Sequence, residues 1–475
     1  MKLAQYLPSV GMRDFPSTEQ LLISGGDARI ALDAQSGLNR YGCQPRPDPG
    51  LLAFASSTAS VISAAGFAAA EQLRARLMDE AAGDTLETRC AHELQRIRQA
   101  LLQDVADLPV ELVFAASGTD VHFMVARYVA RAGELPLSVV MVEDDETGSG
   151  VAAVMLGPLQ DGGERPEVLK VALRGADGMP RQLGQVDAEF STLTRQAITR
   201  SRRVLLVMVD QSKTGLIAPS PACVAQLQQD FPEQVTVLVD ACQFRINQPA
   251  LRAYLQHGFM VAVTGSKFFT GPSFSAALLL PVRADERPGL RAFPRAAALG
   301  ATLSDDYGNL GLLLRWAAAL VELQRFRALP QAQVICAMQA FAQAISRRLS
   351  EEVHFELLPV PPLDRRPLAD RQSWDHLQTI FPFLLYRTTA PGERLPLTRE
   401  ETAHIYRELS SGKGLRCQFG QPVACGTRQG VAVSALRLCL SARQLSDALG
   451  EHGKGIAGVI AEAMAALDKT VSLIA

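Results

Sequence analysis

Six short apolar runs constrain this chain more than any other feature of its sequence: VELVFAA (110–116), LSVVMV (137–142), RVLLVMV (203–209), VTVLV (235–239), FMVAVT (259–264) and SAALLLP (275–281). Runs of this length, apolar on both faces and separated by helical sequence, read as strands of a mostly parallel sheet covered on both sides. The covering helices are visible too. GFAAAEQLRARLMDEAAG and ETRCAHELQRIRQALLQDV carry apolar residues at three- and four-residue intervals. From about residue 310 a long helical pattern, LGLLLRWAAALVELQRFRAL, leads to a second region containing FPFLLYR (381–387) and GVAVSALRLCLSA (430–442), with Pro361, Pro362 and Pro367 marking loops between. The expectation is an α/β fold in three parts: an N-terminal arm (1–65), a large α/β domain (66–310) and a smaller C-terminal α+β domain (311–475).

A chain of 475 residues can bury the core that two such domains need. With 48% hydrophobic and 20% charged residues and a formal net charge of -2, the composition is ordinary, and no basic stripe points to nucleic acid. No apolar run reaches membrane-spanning length, and the opening MKLAQYLPSVGMRDFPST does not resemble a secretory signal. Eight cysteines lie scattered without a CxxC pair, and seven histidines without an HExxH motif. That pattern predicts reduced thiols in a cytoplasmic protein and no metal site.

Sites on parallel sheets form at the carboxyl ends of strands, and four strand ends here carry unusual chemistry. In AASGTD, the residues Ser117, Gly118 and Thr119 join a strand to a helix, a geometry that suits a phosphate because free N–H groups and the helix dipole face it. An ordinary helix cap would use the same residues. In VTVLVDACQF, Asp240 closes a strand and Gln243 follows. Such a carboxylate needs a partner, either Arg245 or a ligand cation. Gln211 and Ser212 stand at a third strand end. The fourth is VAVTGSKFFTGPSFSAALLLP, where Lys267 follows an apolar strand directly. Desolvation there lowers an amine's pKa and makes it a usable nucleophile; the plain alternative is a surface lysine. Together these residues form the kit that holds pyridoxal 5'-phosphate: a phosphate cradle, an acid for the ring nitrogen, an amide and an amine.

On these residues the chain resembles the fold-type I pyridoxal-phosphate enzymes, specifically the class V aminotransferase and cysteine desulfurase superfamily, from about residue 30 to 445. The resemblance implies an aspartate aminotransferase-like fold. TGSKFFTGP matches the segment that carries the Schiff-base lysine, Lys267, and DACQ matches the one whose Asp240 binds the pyridine nitrogen and whose Gln243 binds the phenolic oxygen. It implies Ser117, Gly118 and Thr119 as the phosphate loop, with Thr264 or Ser266 adding a hydroxyl and Gln211 and Ser212 near the ring. GATLSDDYGNLG is similar to a segment through which Thr302 would reach the phosphate held by the partner subunit, implying a homodimer with shared sites. ALRLCLSA resembles the strand whose arginine, Arg437, clamps the substrate carboxylate. The chain departs from the family pattern at Ser266, where histidine is common, and at EDDETGSG, which puts Glu146 or Thr147 near the ring face. Asn39, Tyr41, Ser57 and Thr58 are candidate substrate-side residues of the arm, with a plain structural arm as the alternative. The implied activity is aminotransfer on an amino acid. The alternatives are a desulfurase-like or other carbon–sulfur or carbon–carbon lyase (with Cys417 as a candidate thiol), a decarboxylase, and, more remotely, a non-catalytic cofactor-binding protein.

Overall fold

The computed structural model describes residues 15–79, 83–131, 133–157, 164–282, 308–370, 373–390, 392–411, 414–451 and 453–474. Thr302 lies outside the described residues. One strand, β1 (Leu51–Phe54), precedes the large sheet, which contains β2 (Val110–Ala115), β3 (Leu137–Val142), β4 (Glu167–Val171), β5 (Arg203–Asp210), β6 (Ile217–Ala218), β7 (Val235–Ala241), β8 (Met260–Thr264) and β9 (Ala276–Pro281). All six apolar runs are therefore strands. Their order is β2-β9-β8-β7-β5-β3-β4, with β6 added to β5. Pairing is parallel from β8 through β7, β5 and β3 to β4, and antiparallel on both sides of β9. The carboxyl ends of β2, β3, β5, β7 and β8 thus share one edge of the sheet. Every residue of β3 and β8 is buried, as expected of strands covered from both sides.

The second sheet holds β10 (Phe355–Leu357), β11 (Ile380–Ala390), β12 (Glu393–Pro396), β13 (Arg416–Arg428) and β14 (Val431–Cys439). β1, from within the N-terminal arm, completes it by pairing parallel to β13. Helix starts carry the side chains that satisfy their free N–H groups. Ser63 caps Ala64–Met78, and Thr398 and Ser441 form reciprocal capping boxes at Arg399–Ser410 and Ala442–Leu449.

Two buried arginines tie the sheets together. Arg365 pairs with Asp210 at the end of β5 (2.6 Å), and that carboxylate also accepts from the Tyr254 hydroxyl at 2.8 Å. Arg245 donates to Thr379 Oγ1, the Leu440 carbonyl and Ser56 Oγ, each at 2.8 Å, with its guanidinium 4.9 Å from the Phe268 ring centre. A buried ion needs such partners, because a lone one is costly; Arg245 Nε alone is left without one.

Candidate active site

A cavity of about 540 Å³ opens where the strand ends converge. Of the residues expected from the sequence, it brings together Tyr41, Ser57, Thr58, Ser117, Gly118, Thr119, Glu146, Thr147, Gln211, Ser212, Asp240, Gln243, Thr264, Ser266, Lys267 and Arg437. Asn39 is not among them. Its side-chain oxygen accepts from the backbone N–H groups of Tyr41 (2.9 Å) and Cys43 (3.1 Å), so it shapes a turn of the arm. A larger cavity of about 740 Å³, bordered by Phe244, Ile246, Phe326 and Trp374, contains none of the strand-end residues and no lysine. The candidate site is therefore the smaller one.

Lys267 is held by its loop. Gly265 N–H donates to the Ser275 carbonyl at 2.8 Å, Gly271 N–H to the Gly265 carbonyl at 2.9 Å and Thr270 N–H to the Lys267 carbonyl at 2.9 Å. The loop sits hard on the helix Gly308–Arg327: a Cβ on either Gly265 or Gly271 would stand 2.6 Å from the Ala319 side chain. Phe268, the next residue, accepts at its carbonyl from Ala442 N–H at 2.9 Å, which anchors the loop to the chain leaving β14. Backbone strain concentrates here. Gln211, Thr270 and Phe274 take positive φ values of 61°, 51° and 69°, a cost that surrounding structure must over-determine.

Asp240 does not pair with Arg245. Its Oδ2 lies 3.4 Å from His122 Nε2, close enough for an ion pair although not a well-aligned hydrogen bond, and accepts from Thr147 Oγ1 at 3.2 Å. Its Oδ1 accepts from Cys242 N–H at 3.1 Å. Burial would raise the carboxyl's pKa, but His122 and then Lys267 outweigh it and hold Asp240 well below the usual range. For His122 burial works toward the neutral ring, and Asp240 outweighs it, so its pKa is raised. The histidine's Nδ1 faces the Gly118 carbonyl at 2.7 Å, one turn back on the same helix. His122 was missed in the sequence because it falls inside the amphipathic helix Gly118–Arg131, where it reads as one more buried position.

At the start of that helix, Ser117 Oγ accepts from Asp120 N–H at 3.3 Å while Ser117 N–H and Oγ donate to Asp120 Oδ2 (2.9 and 2.7 Å), so Ser117 also serves as the plain cap. The Gly118 and Thr119 N–H groups head the helix and have no intrahelical acceptor. Gly118 must lack a side chain, since a Cβ would stand 2.8 Å from Cys242 Sγ. Arg29 of the arm, another residue the sequence did not signal, reaches 3.5 Å from Ser117 Oγ while paired with Asp27 and lying 5.2 Å from the Phe274 ring centre.

Other expected residues are already engaged. Glu146 is buried in a network with Arg174 (2.7 Å), Ser212 Oγ (2.6 Å) and Thr214 Oγ1 (2.7 Å), so Thr147, not Glu146, is the one turned toward Asp240. Gln211 donates to the Arg245 carbonyl at 3.1 Å, Gln243 to the Ser57 carbonyl at 3.1 Å and Thr264 to the Cys242 carbonyl at 2.7 Å. Arg437, 2% exposed, donates to the Lys213 carbonyl (3.1 Å), Thr58 Oγ1 (2.9 Å) and the Gln421 carbonyl. Its Nε has no partner, and neither do Gln243 Oε1 and Ser57 Oγ in the same cavity. Cys417 is fully buried away from the cavity, and burial pushes its thiol up to about 11. Among the described residues no cluster of His, Cys, Asp and Glu could hold a metal, and no helix is long and apolar enough to cross a membrane.

No family model and no curated protein matches the sequence. Solved structures match the fold. A NifS-like protein from Rickettsia africae ESF-5 superposes with a TM-score of 0.53 at 10% identity, over 89% of this chain and 99% of that one. The glutamate decarboxylase domain of diaminobutyrate-pyruvate transaminase and L-2,4-diaminobutyrate decarboxylase from Vibrio parahaemolyticus gives 0.52 at 14% identity, over 90% and 81%. Oryza sativa TDC with PLP gives 0.54 at 13%, over 90% and 84%. At such identities the shared property is architecture: the chain has the fold of the fold-type I pyridoxal-phosphate enzymes.

Proposed function

We propose that the cavity binds pyridoxal 5'-phosphate on Lys267 and acts on an amino acid, with transamination as the reaction. The observation that carries this reading is the buried Asp240–His122 pair, set in the same cavity as a lysine that makes no ion pair among the described residues. The residues present fit the group. The free N–H groups at Gly118 and Thr119 suit its phosphate, with Arg29 adding positive charge at that end. An Asp240 kept ionised suits a protonated ring nitrogen, and the partnerless Gln243 Oε1 has hydrogen-bonding capacity left. When bound, the group supplies an electron sink for charge developing at the substrate's α-carbon.

The chain's own residues would do the rest. Lys267 would carry the group and then move a proton at the substrate's α-carbon. Arg437 would hold the substrate carboxylate: it makes no ion pair among the described residues, Glu146 acting on it only from a distance, and its Nε is free to donate. Thr147 and His122 would keep Asp240 oriented and charged. A lyase that passes sulfur to a cysteine finds less support, because Cys417 is buried elsewhere and the thiol that lines the cavity, Cys242, is pushed well up by burial. Decarboxylation and carbon–carbon chemistry would use the same residues. A homodimer sharing its sites, with Thr302 of the partner subunit at the phosphate, belongs to the same reading.

The test is spectroscopic. Purified protein should show a visible band that borohydride bleaches, fixing the cofactor to a peptide containing Lys267. Incubation with amino acids should then give an oxo acid, and Lys267→Ala should lack the band. Protein that takes up no chromophore would refute the reading, and carbon dioxide or sulfide in place of an oxo acid would refute transamination alone.

A further inference from the structure

We infer that Lys213 and Arg437 together form a two-anion subsite, so that the amino acid this cavity accepts carries a second acidic group on its side chain. The inference rests on the reading above, in which Arg437 takes the substrate's α-carboxylate.

Lys213 lies three residues beyond β5 and lines the same cavity as Lys267 and Arg437. Its backbone is fixed on both sides. The N–H donates to the Glu146 carbonyl at 3.0 Å, and its own carbonyl accepts from Arg437 Nη1 at 3.1 Å. The Arg437 guanidinium is therefore tied to the Lys213 backbone, and both side chains line the same cavity. The Lys213 ammonium gives one hydrogen bond, to the Asp144 carbonyl at 2.8 Å, and an ammonium has three N–H groups to give. Neither Lys213 nor Arg437 makes an ion pair among the described residues, and Arg437 Nε is buried without a partner.

The nearby acids act on these cations from a distance, but among the described residues none forms an ion pair with either. Glu146 is neutralised by Arg174, Asp144 by Lys170 and Asp240 by His122. Asp145 also lines the cavity and its charge acts on Lys213, but the two make no ion pair among the described residues, and burial with the adjacent Glu146 and Glu143 pushes the Asp145 carboxyl up to about 6. Burial, then Arg437 and Lys267, bring the Lys213 amine down to about 8, outweighing Glu146 and Asp145. An amino acid with one carboxylate would satisfy Arg437 and leave the Lys213 charge half-buried and unmatched. A second carboxylate, or another acid of similar size, would relieve the repulsion between the two cations and complete both sets of donors.

The test compares acids that differ by one charge. Calorimetry on cofactor-loaded protein would measure succinate against butyrate, and glutarate against valerate. In native protein at least one dicarboxylate should bind about tenfold or more tightly than its partner, the scale of one charge-assisted hydrogen bond. Lys213→Met should erase that ratio while leaving the monocarboxylate affinity unchanged, and Lys213→Arg should retain it. Lys213→Gln, which keeps a donor without the charge, provides a second variant should the methionine form fold poorly. A ratio of one in native protein overturns the subsite. So does a ratio that survives in Lys213→Met, or an equal loss for both acids, which would mean that the two cations share one carboxylate. Absence of the borohydride-sensitive band would instead overturn the cofactor reading, so the two failures are distinguishable.

Discussion

Replacing Asp240 by asparagine keeps the side chain's shape and removes its charge, which isolates what the buried ion pair with His122 does. The groups are 3.4 Å apart. At an effective dielectric constant of about 20, opposite charges at that distance attract by roughly 5 kcal/mol. Desolvation of two buried ions opposes this by a comparable amount, so only a small part of the attraction remains as net stability. The pH dependence follows from the two shifts. Asp240 is lowered, so its contribution is present above the unfolded carboxyl pKa and lost as pH falls through the folded value. His122 is raised, so its contribution is complete below the unfolded histidine pKa, about 6.5, and lost as pH rises through the folded value. The pair therefore stabilises most between roughly pH 4 and 6.5. Asp240→Asn should lower the melting temperature of cofactor-free protein more at pH 5.5 than at pH 8.5. Without the carboxylate, burial dominates at His122 and should drive its pKa below the ordinary value, which a proton NMR titration of the imidazole reads directly. The same variant should bind cofactor yet lose most turnover, because the ring nitrogen no longer faces an anion. An imidazole that titrates identically in both proteins would refute the coupling and, with it, the account of how Asp240 stays charged.

Three further outcomes are expected. Arg365→Met strands the buried Asp210 carboxylate and should cost about 3–5 kcal/mol by denaturant titration, the usual penalty for removing one partner of a buried pair; a loss below 1 kcal/mol would mean that Tyr254 alone satisfies Asp210. Gly118→Ala forces a methyl within 2.8 Å of Cys242 Sγ, and at the usual 1–3 kcal/mol for overpacking it should weaken cofactor binding, measured by fluorescence quenching, by about fivefold to over a hundredfold. Adding Cys242→Ala should recover much of that loss, and no recovery would place the strain elsewhere. Mixing inactive Lys267→Ala and Thr302→Ala proteins should restore part of the activity through heterodimers, whereas no restoration in mixed dimers would argue against a shared site.

The strands were legible because each buried run is apolar on both faces, a property of the local sequence. β4 escaped notice because four of its five residues are only partly covered or exposed, and β6 because it has two residues. The antiparallel course of β9 was equally hidden, since an apolar run carries no sign of direction. Lys267, Asp240 and the Ser117–Thr119 turn stood out for one reason: each puts polar chemistry at the point where an apolar pattern stops. Arg437 was picked out only through a resemblance, since its strand is as apolar as its neighbours.

What the sequence determined by itself is thus the set of elements and the polar residues that terminate them, because burial and chain reversal act over a few residues. The tertiary structure decided which of those residues are spent on one another. It turned Glu146 away into a network with Arg174, gave Asp240 a histidine in place of Arg245, and kept Asn39 within a turn of the arm. It also brought Arg29 to the Ser117 turn, 88 residues away in sequence, and Arg437 to Lys213, 224 residues away. Pairings of that range depend on how two sheets and an arm pack, and packing is a property of the whole chain that no local pattern encodes.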